Sequence, residues 1–227
     1  MTPEAQKRAA GEAAALLVET GMTVGLGTGT TATQFVHALA ARALSLRAVA
    51  TSEATAALAA ELGFQLVDLN EAGEIDLTVD GADEIGPGLA LIKGGGAALL
   101  REKLVWEASA RRVVIADASK LPGPLGRFPL PIEVIAFGHR TTATRIDATL
   151  AAVGLGGPAR LRLRGGQPVR TDSGNLIYDA PCEEMGNPVA LAGALKALTG
   201  VVEHGLFLNL AERALIGTDE GVITIYP

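Results

Sequence analysis

Residues 75–103 read IDLTVDGADEIGPGLALIKGGGAALLREK. The first five alternate, Ile75-Asp76-Leu77-Thr78-Val79, with the period of a strand running into the protein. Three carboxylates, Asp80, Asp83 and Glu84, crowd its carboxyl end. Such acids repel one another unless a cation or a polyhydroxylated ligand satisfies them. Lys93 follows, then Gly94, Gly95 and Gly96, then a helix-forming run from Ala97. Glycines ahead of a helix let backbone N–H groups close on an anion at its positive end. The stretch reads as a cradle for something small, hydroxylated and negatively charged.

Glu102 stands out within it. In a helix beginning near Ala97, its neighbours one turn away are Ala98, Leu99, Val105 and Trp106, none able to form an ion pair. A carboxylate between Val and Trp is expected to be partly desolvated, with a raised pKa. That suits a general base near neutral pH. The alternative is a helix-edge glutamate reaching water or an arginine from elsewhere.

Upstream, residues 3–19 read as an amphipathic helix ended by Gly21, with Lys7 in its first half. Thr23–Leu26 is a short buried strand feeding GTGTTATQFVHALAAR, a Gly/Thr loop that opens into a helix. Gly27, Gly29 and Ala32 satisfy the loose dinucleotide pattern G-x-G-x-x-A, without the ribose-binding acid expected about 20 residues on. Thr28, Thr30 and Thr31 are more specific. Three hydroxyls and the backbone N–H groups of a helix start make a phosphate nest. There is no G-K-[ST] for a nucleoside triphosphate. Strand and helix go on alternating: a strand over 46–50, a helix from Ser52 to Leu62, strands over 64–69 and 113–116, then Lys120. Repeated βα units imply an open, mostly parallel, Rossmann-like sheet with ligands at the strands' carboxyl ends.

After Lys120 the texture changes. Pro122, Pro124, Pro129 and Pro131 mark a border. Strands over 132–136, 160–163, 169–171 and 176–178, helices over 141–153 and 188–198, and a closing hairpin over 214–226 complete the chain. The division expected is an α/β domain over 1–127 plus 203–227 and a small α+β domain over 128–202.

The 227 residues are 48% hydrophobic and only 4% aromatic, so the core is built from Ala, Leu and Val. A net charge of −6 and no basic cluster argue against a nucleic-acid surface. The uncharged run Thr20–Ala41 is too rich in Gly and Thr for a membrane helix, and the first ten residues carry no signal-peptide core. A cytoplasmic protein is expected. The single Cys182 excludes an internal disulfide and reads as a small buried residue. His37, His139 and His204 are too scattered for a metal cluster. A magnesium ion on Asp80, Asp83 and Glu84 is the competing reading, weakened by the nearby Lys93.

GTGTT at 27–31, DGADE at 80–84, KGGGAALLREK at 93–103, ASK at 118–120 and TDSGNLIYD at 171–179 together resemble the type A ribose-5-phosphate isomerase family. The resemblance spans essentially the whole chain in the right order. It implies an open α/β domain with an inserted ferredoxin-like α+β domain, a homodimer or homotetramer, and no cofactor or metal. It makes Glu102 the general base that shuttles a proton between C1 and C2 through a cis-enediolate. Asp80 and Asp83 would bind sugar hydroxyls and help open the ring, and Lys93 would stabilise the developing oxyanion. Thr28, Gly29, Thr30 and Thr31, Gly94 to Gly96, Lys7 and Lys120 would hold the phosphate and sugar. Ser173 and Pro122 depart from the family pattern, at positions that shape loops. The rivals are a sugar-phosphate-sensing domain, which would carry an appended DNA-binding segment, and an acyl-CoA transferase with a nucleophilic glutamate.

Overall fold

The computed structural model describes residues 1–121 and 123–227; the departure at position 122 lies outside them. Along the chain run α1 (Pro3–Ala15), β1 (Thr23–Leu26), α2 (Thr30–Ala41), β2 (Arg47–Ala50), α3 (Glu53–Glu61), β3 (Gln65–Leu66) and β4 (Ile75–Gly81). Short strands β5 (Glu84–Ile85) and β6 (Leu91–Ile92) precede α4 (Leu99–Glu107) and the long β7 (Ser109–Asp117). Then come β8 (Leu130–Val134), α5 (His139–Ala152), β9 (Arg160–Leu161), β10 (Leu163–Arg164) and β11 (Gln167–Pro168). The chain closes with β12 (Leu176–Ala180), α6 (Pro188–Lys196), β13 (Val201–His204), β14 (Leu206–Phe207), β15 (Arg213–Thr218) and β16 (Gly221–Ile225).

Helix starts follow their caps. Thr2 accepts from Ala5 N ahead of the proline that opens α1, and Ser52 accepts from Thr55 N at 3.0 Å to start α3. α1 stops at Ala15, short of Gly21, because the carbonyls of Ala14 and Ala15 are taken up by the N–H groups of Leu17 and Val18 in a tightened last turn. α4 begins at Leu99, two residues later than the expected start, because Ala97 takes a left-handed φ of 62°. Val169–Thr171 is not a strand; only an isolated bridge, Arg170 to Leu176, forms there.

Contacts group the residues into two units, Met1–Ala82 with Arg101–Leu121 and Asn209–Pro227, and Asp83–Leu100 with Pro122–Leu208. The first carries a seven-stranded sheet in the order β16-β15-β7-β4-β1-β2-β3, parallel except for β16. β1 pairs with β2 on one side and β4 on the other, so the chain progresses in opposite directions from their junction. In an open α/β sheet such a switch point, at the strands' carboxyl ends, is where a crevice opens. α1 and α2 cover one face, burying Ala10, Ala14, Phe35, Val36 and Leu39 against Leu26, Val79 and Ile115.

The second unit holds a four-stranded antiparallel sheet in the order β13-β8-β12-β9. With α5 and α6 this is a βαββαβ, ferredoxin-like arrangement. Ile132 and Val134 of β8 enter a core with Ile146, Leu150, Leu191 and Leu195. The residues alternating with them, Pro131 and Glu133, point to the other face. β5 and β6 form a separate sheet with β14. That pairing groups residues 83–100 and 203–208 with this unit, where the division read from the sequence differs. No helix among the described residues is long and apolar enough to cross a membrane.

Candidate active site

In the first unit the switch point is built around Asp80, fully buried at the carboxyl end of β4. Its Oδ1 accepts the N–H of Thr28 at 3.0 Å and of Gly81 at 2.7 Å, joining the 27–31 loop to the strand. Gly27 makes this approach possible: a Cβ there would stand 2.2 Å from Asp80 Oδ1. The Thr28 hydroxyl lies in a cluster with Thr51 (2.8 Å), Ser52 (2.8 Å) and Thr55 (3.2 Å), and Thr55 in turn donates to Gly27 O at 3.0 Å. These hydroxyls brace the loop from below. Thr30 and Thr31 open α2, whose N-cap Gly29 has no side-chain hydrogen bond to the first turn. That helix start has the donors and the dipole an anion needs.

Two lysines of the proposed set belong to the same unit. Lys7 in α1 is one fifth exposed and pairs with Glu4 at 3.2 Å. Lys120 ends the short turn after β7 and is half-buried. Gln6, beside Lys7, accepts from Ala118 N at 3.2 Å and donates to Asp219 at 2.9 Å, so it ties the start of α1 to that turn. Nothing local in the sequence marks Gln6, because its partners lie more than a hundred residues away.

Glu102 is 4% exposed and Trp106 fully buried. Val105 sits over β1 and β4: a Cβ on Gly25 would meet its side chain at 2.8 Å, and Ser109 links the Val105 carbonyl to Thr78 through two 2.6 Å hydrogen bonds. α4 lies in the crossover between the parallel neighbours β4 and β7, so it runs antiparallel to them. Three residues back along the helix is ~4.5 Å, and two residues on along a strand is ~6.6 Å. Glu102 is therefore carried toward the Gly27 and Asp80 end of those strands.

The second unit holds the remaining set. Asp83 donates its N–H to Ile92 O at 2.9 Å, and its Oδ2 accepts from Gly95 N at 2.7 Å. A Cβ on Gly95 would come 2.5 Å from the same carboxylate. Lys93 is buried, its N–H bonded to Gly205 O at 2.9 Å and its Nζ 5.5 Å from the centre of the Phe207 ring. Gly94 is buried, while Gly95 and Gly96 are exposed. Glu84 serves the backbone instead. Its carboxylate accepts from the N–H groups of Gly126 (2.9 Å), Arg127 (3.3 Å) and Phe128 (3.1 Å) and from the Arg127 guanidinium (3.2 Å), and so holds that turn. Among the described residues no group of three His, Cys, Asp or Glu side chains could hold a metal ion.

The family model for ribose 5-phosphate isomerase A (phosphoriboisomerase A) matches residues 47–221. The ribose-5-phosphate isomerase A of Caulobacter sp. (strain K31) is 63% identical over 227 residues, covering 100% of both chains. The solved ribose 5-phosphate isomerase A of Neisseria gonorrhoeae superposes with a TM-score of 0.91 at 36% identity, covering 100% of this chain and 98% of that one. A D-ribose-5-phosphate isomerase solved in complex with phospho-erythronic acid gives a TM-score of 0.92 at 34% identity, with 100% of each chain covered.

Proposed function

Because the chain belongs to the ribose 5-phosphate isomerase A family, we propose that it interconverts D-ribose 5-phosphate and D-ribulose 5-phosphate with the Glu102 carboxylate as proton carrier. Glu102 takes the C2 proton of the open-chain aldose. The C–H electron pair enters the C1–C2 bond, and the carbonyl pair moves onto O1, leaving a cis-enediolate. Returning the proton to C1 while the hydroxyl proton passes from O2 to O1 gives the ketose. One carboxyl group thus serves as base and then as acid.

The other residues take roles that follow from their chemistry. The start of α2 at Gly29, Thr30 and Thr31, with Lys7 and Lys120, binds the phosphate, and Thr28 shapes that loop. Asp80 and Asp83 accept hydrogen bonds from sugar hydroxyls and help open the ring. Lys93 and the backbone of Gly94, Gly95 and Gly96 stabilise the negative oxygen of the enediolate. The reaction belongs to the non-oxidative pentose phosphate pathway, in the cytoplasm, and the working form is a homodimer or homotetramer.

The burial of Glu102 toward the Asp80 end of the sheet is the observation that carries this reading. Glu102→Gln is expected to keep binding phospho-erythronic acid while kcat falls by ~10²–10⁴-fold, the usual worth of a general base. Turnover near the wild-type value in that variant refutes the role. Solvent hydrogen appearing in the product, with no CoA ester formed, separates isomerisation from acyl-CoA transfer.

A further inference from the structure

The triple-glycine segment is held by one guanidinium that no motif marks. Arg162 lies between β9 and β10, its side chain only 13% exposed. Its Nε donates to Asp179 Oδ2 at 2.8 Å and its Nη2 pairs with Asp179 Oδ1. The remaining edge reaches the glycine backbone: Nη1 donates to Gly94 O at 2.7 Å and to Gly95 O at 3.2 Å. An ion pair with Asp179 alone would not need that second set of contacts. Only a planar fork of donors holds a carboxylate along one edge and two successive carbonyls along another.

The consequence lies in the amides on the other side of those carbonyls. All peptide bonds here are trans, so each carbonyl and the N–H of the next residue point in opposite directions. With Gly94 O on the guanidinium, the Gly95 N–H is directed at Asp83 Oδ2, 2.7 Å away. With Gly95 O on the same guanidinium, the Gly96 N–H is turned away from it. A cation on a carbonyl oxygen also polarises the amide and strengthens its N–H as a donor.

The geometry points to Arg162 and Asp179 as positioning residues: the guanidinium, fixed by the carboxylate, aims the Gly94–Gly96 peptides so that the Gly96 N–H meets the oxyanion of the enediolate. This rests on the proposed function, in which the triple-glycine segment faces that oxygen. Neither side chain touches the substrate; both act through the backbone they hold.

The test compares two inhibitors. Phospho-erythronic acid carries a carboxylate where the enediolate charge develops, whereas ribitol 5-phosphate keeps the phosphate and the two hydroxyls next to it but has only neutral hydroxyls in place of that carboxylate. Arg162→Gln, and Arg162→Lys, which keeps the charge but loses the fork, are expected to lower kcat by ~10–100-fold, the cost of a small misplacement at a reacting centre. KM should stay within about threefold, as for a loss felt mainly in the transition state. Ki for phospho-erythronic acid should rise in step with the loss in kcat, while that for ribitol 5-phosphate moves by less than about threefold. Asp179→Asn, which keeps the side-chain volume, should show the same split to a smaller degree, so the test does not depend on the arginine variants folding. Unchanged kcat, or equal weakening of both inhibitors in the folded variants, overturns the proposal. Glu102→Gln is measured alongside. If it is inactive while the Arg162 variants behave as wild type, positioning alone has failed. If it is active, the assignment of the base beneath the proposal has failed too.

Discussion

Glu133 is a buried acid outside the set proposed for the reaction. It is fully buried on β8, where its Oε1 accepts from Thr171 Oγ1 at 2.8 Å and Asn175 Nδ2 at 3.0 Å. Burial raises its pKa against the opposing pull of Asn175, Thr171 and the Leu100 backbone N–H, and Glu203 on the neighbouring strand adds to the rise. Glu203 is itself held by Lys196 and lies beside His204. A carboxyl whose pKa is raised by folding contributes its full stability below its unfolded value of about 4.5, and that contribution is lost as pH climbs through the higher folded value. Glu133→Gln removes the titration. Relative to wild type, the variant is therefore expected to gain stability as pH rises from 4 to 8, read as the difference between their melting temperatures. A difference that stays flat with pH, once Glu203 and His204 are shown to titrate alike in both proteins, contradicts the raised pKa. Cys182 is the complementary case: burial pushes its thiol up to about 11, so the group is an inert core residue, as its sequence surroundings imply.

Among the elements, the close approach of β1 to β4 is set by Gly27. Any side chain there drives a carbon into the Asp80 carboxylate, at 2.2 Å from Oδ1 and 2.3 Å from Cγ. Gly27→Ala is expected to cost ~1–3 kcal/mol, the usual range for overpacking. At roughly 2–4 °C per kcal/mol for a chain of this size, that is a fall of several degrees in Tm. A stable, fully active Gly27→Ala would mean that Asp80 is not anchored to the loop in the way its two hydrogen bonds indicate. Elements of this kind are legible wherever burial writes a period into the sequence. Ile75–Val79 alternates in polarity, although Thr78 is as fully buried as its apolar neighbours, Ser52 caps, and the Gly/Thr loop announces a helix start. Legibility fails where partners are distant or the backbone takes an unexpected turn. The first residues of β7, Ser109 to Arg112, have no apolar alternation and become strand because β4 pairs with them. Ala97 adopts a left-handed φ that no alanine advertises, which delays α4. Arg162 and Gln6 act on backbone far from them in the chain, so their roles emerge only from the fold.

At the scale of the whole molecule, the residues of the proposed reaction are shared between two units that each have their own hydrophobic core. Glu102, Asp80 and the phosphate-binding residues belong to one, Asp83, Lys93 and the triple glycine to the other. The protein carries a natural reporter in each. Its single tryptophan, Trp106, is fully buried in the first unit, and its single cysteine, Cys182, is buried in the second. Tryptophan emission and thiol labelling during heating therefore follow the two units separately. A ligand that binds only the folded protein stabilises it by ~2.7 kcal/mol at a hundred times its dissociation constant. For a chain of this length that corresponds to a shift of roughly 5–11 °C. If one substrate engages both sets of residues, phospho-erythronic acid at that concentration should raise the Trp106 and Cys182 midpoints by similar amounts, and Lys93→Ala should shrink both shifts. A rise in the Trp106 midpoint with the Cys182 midpoint unmoved would remove Asp83, Lys93 and the glycines from the binding of the analogue, and with them the stabilisation of the enediolate assigned to that unit.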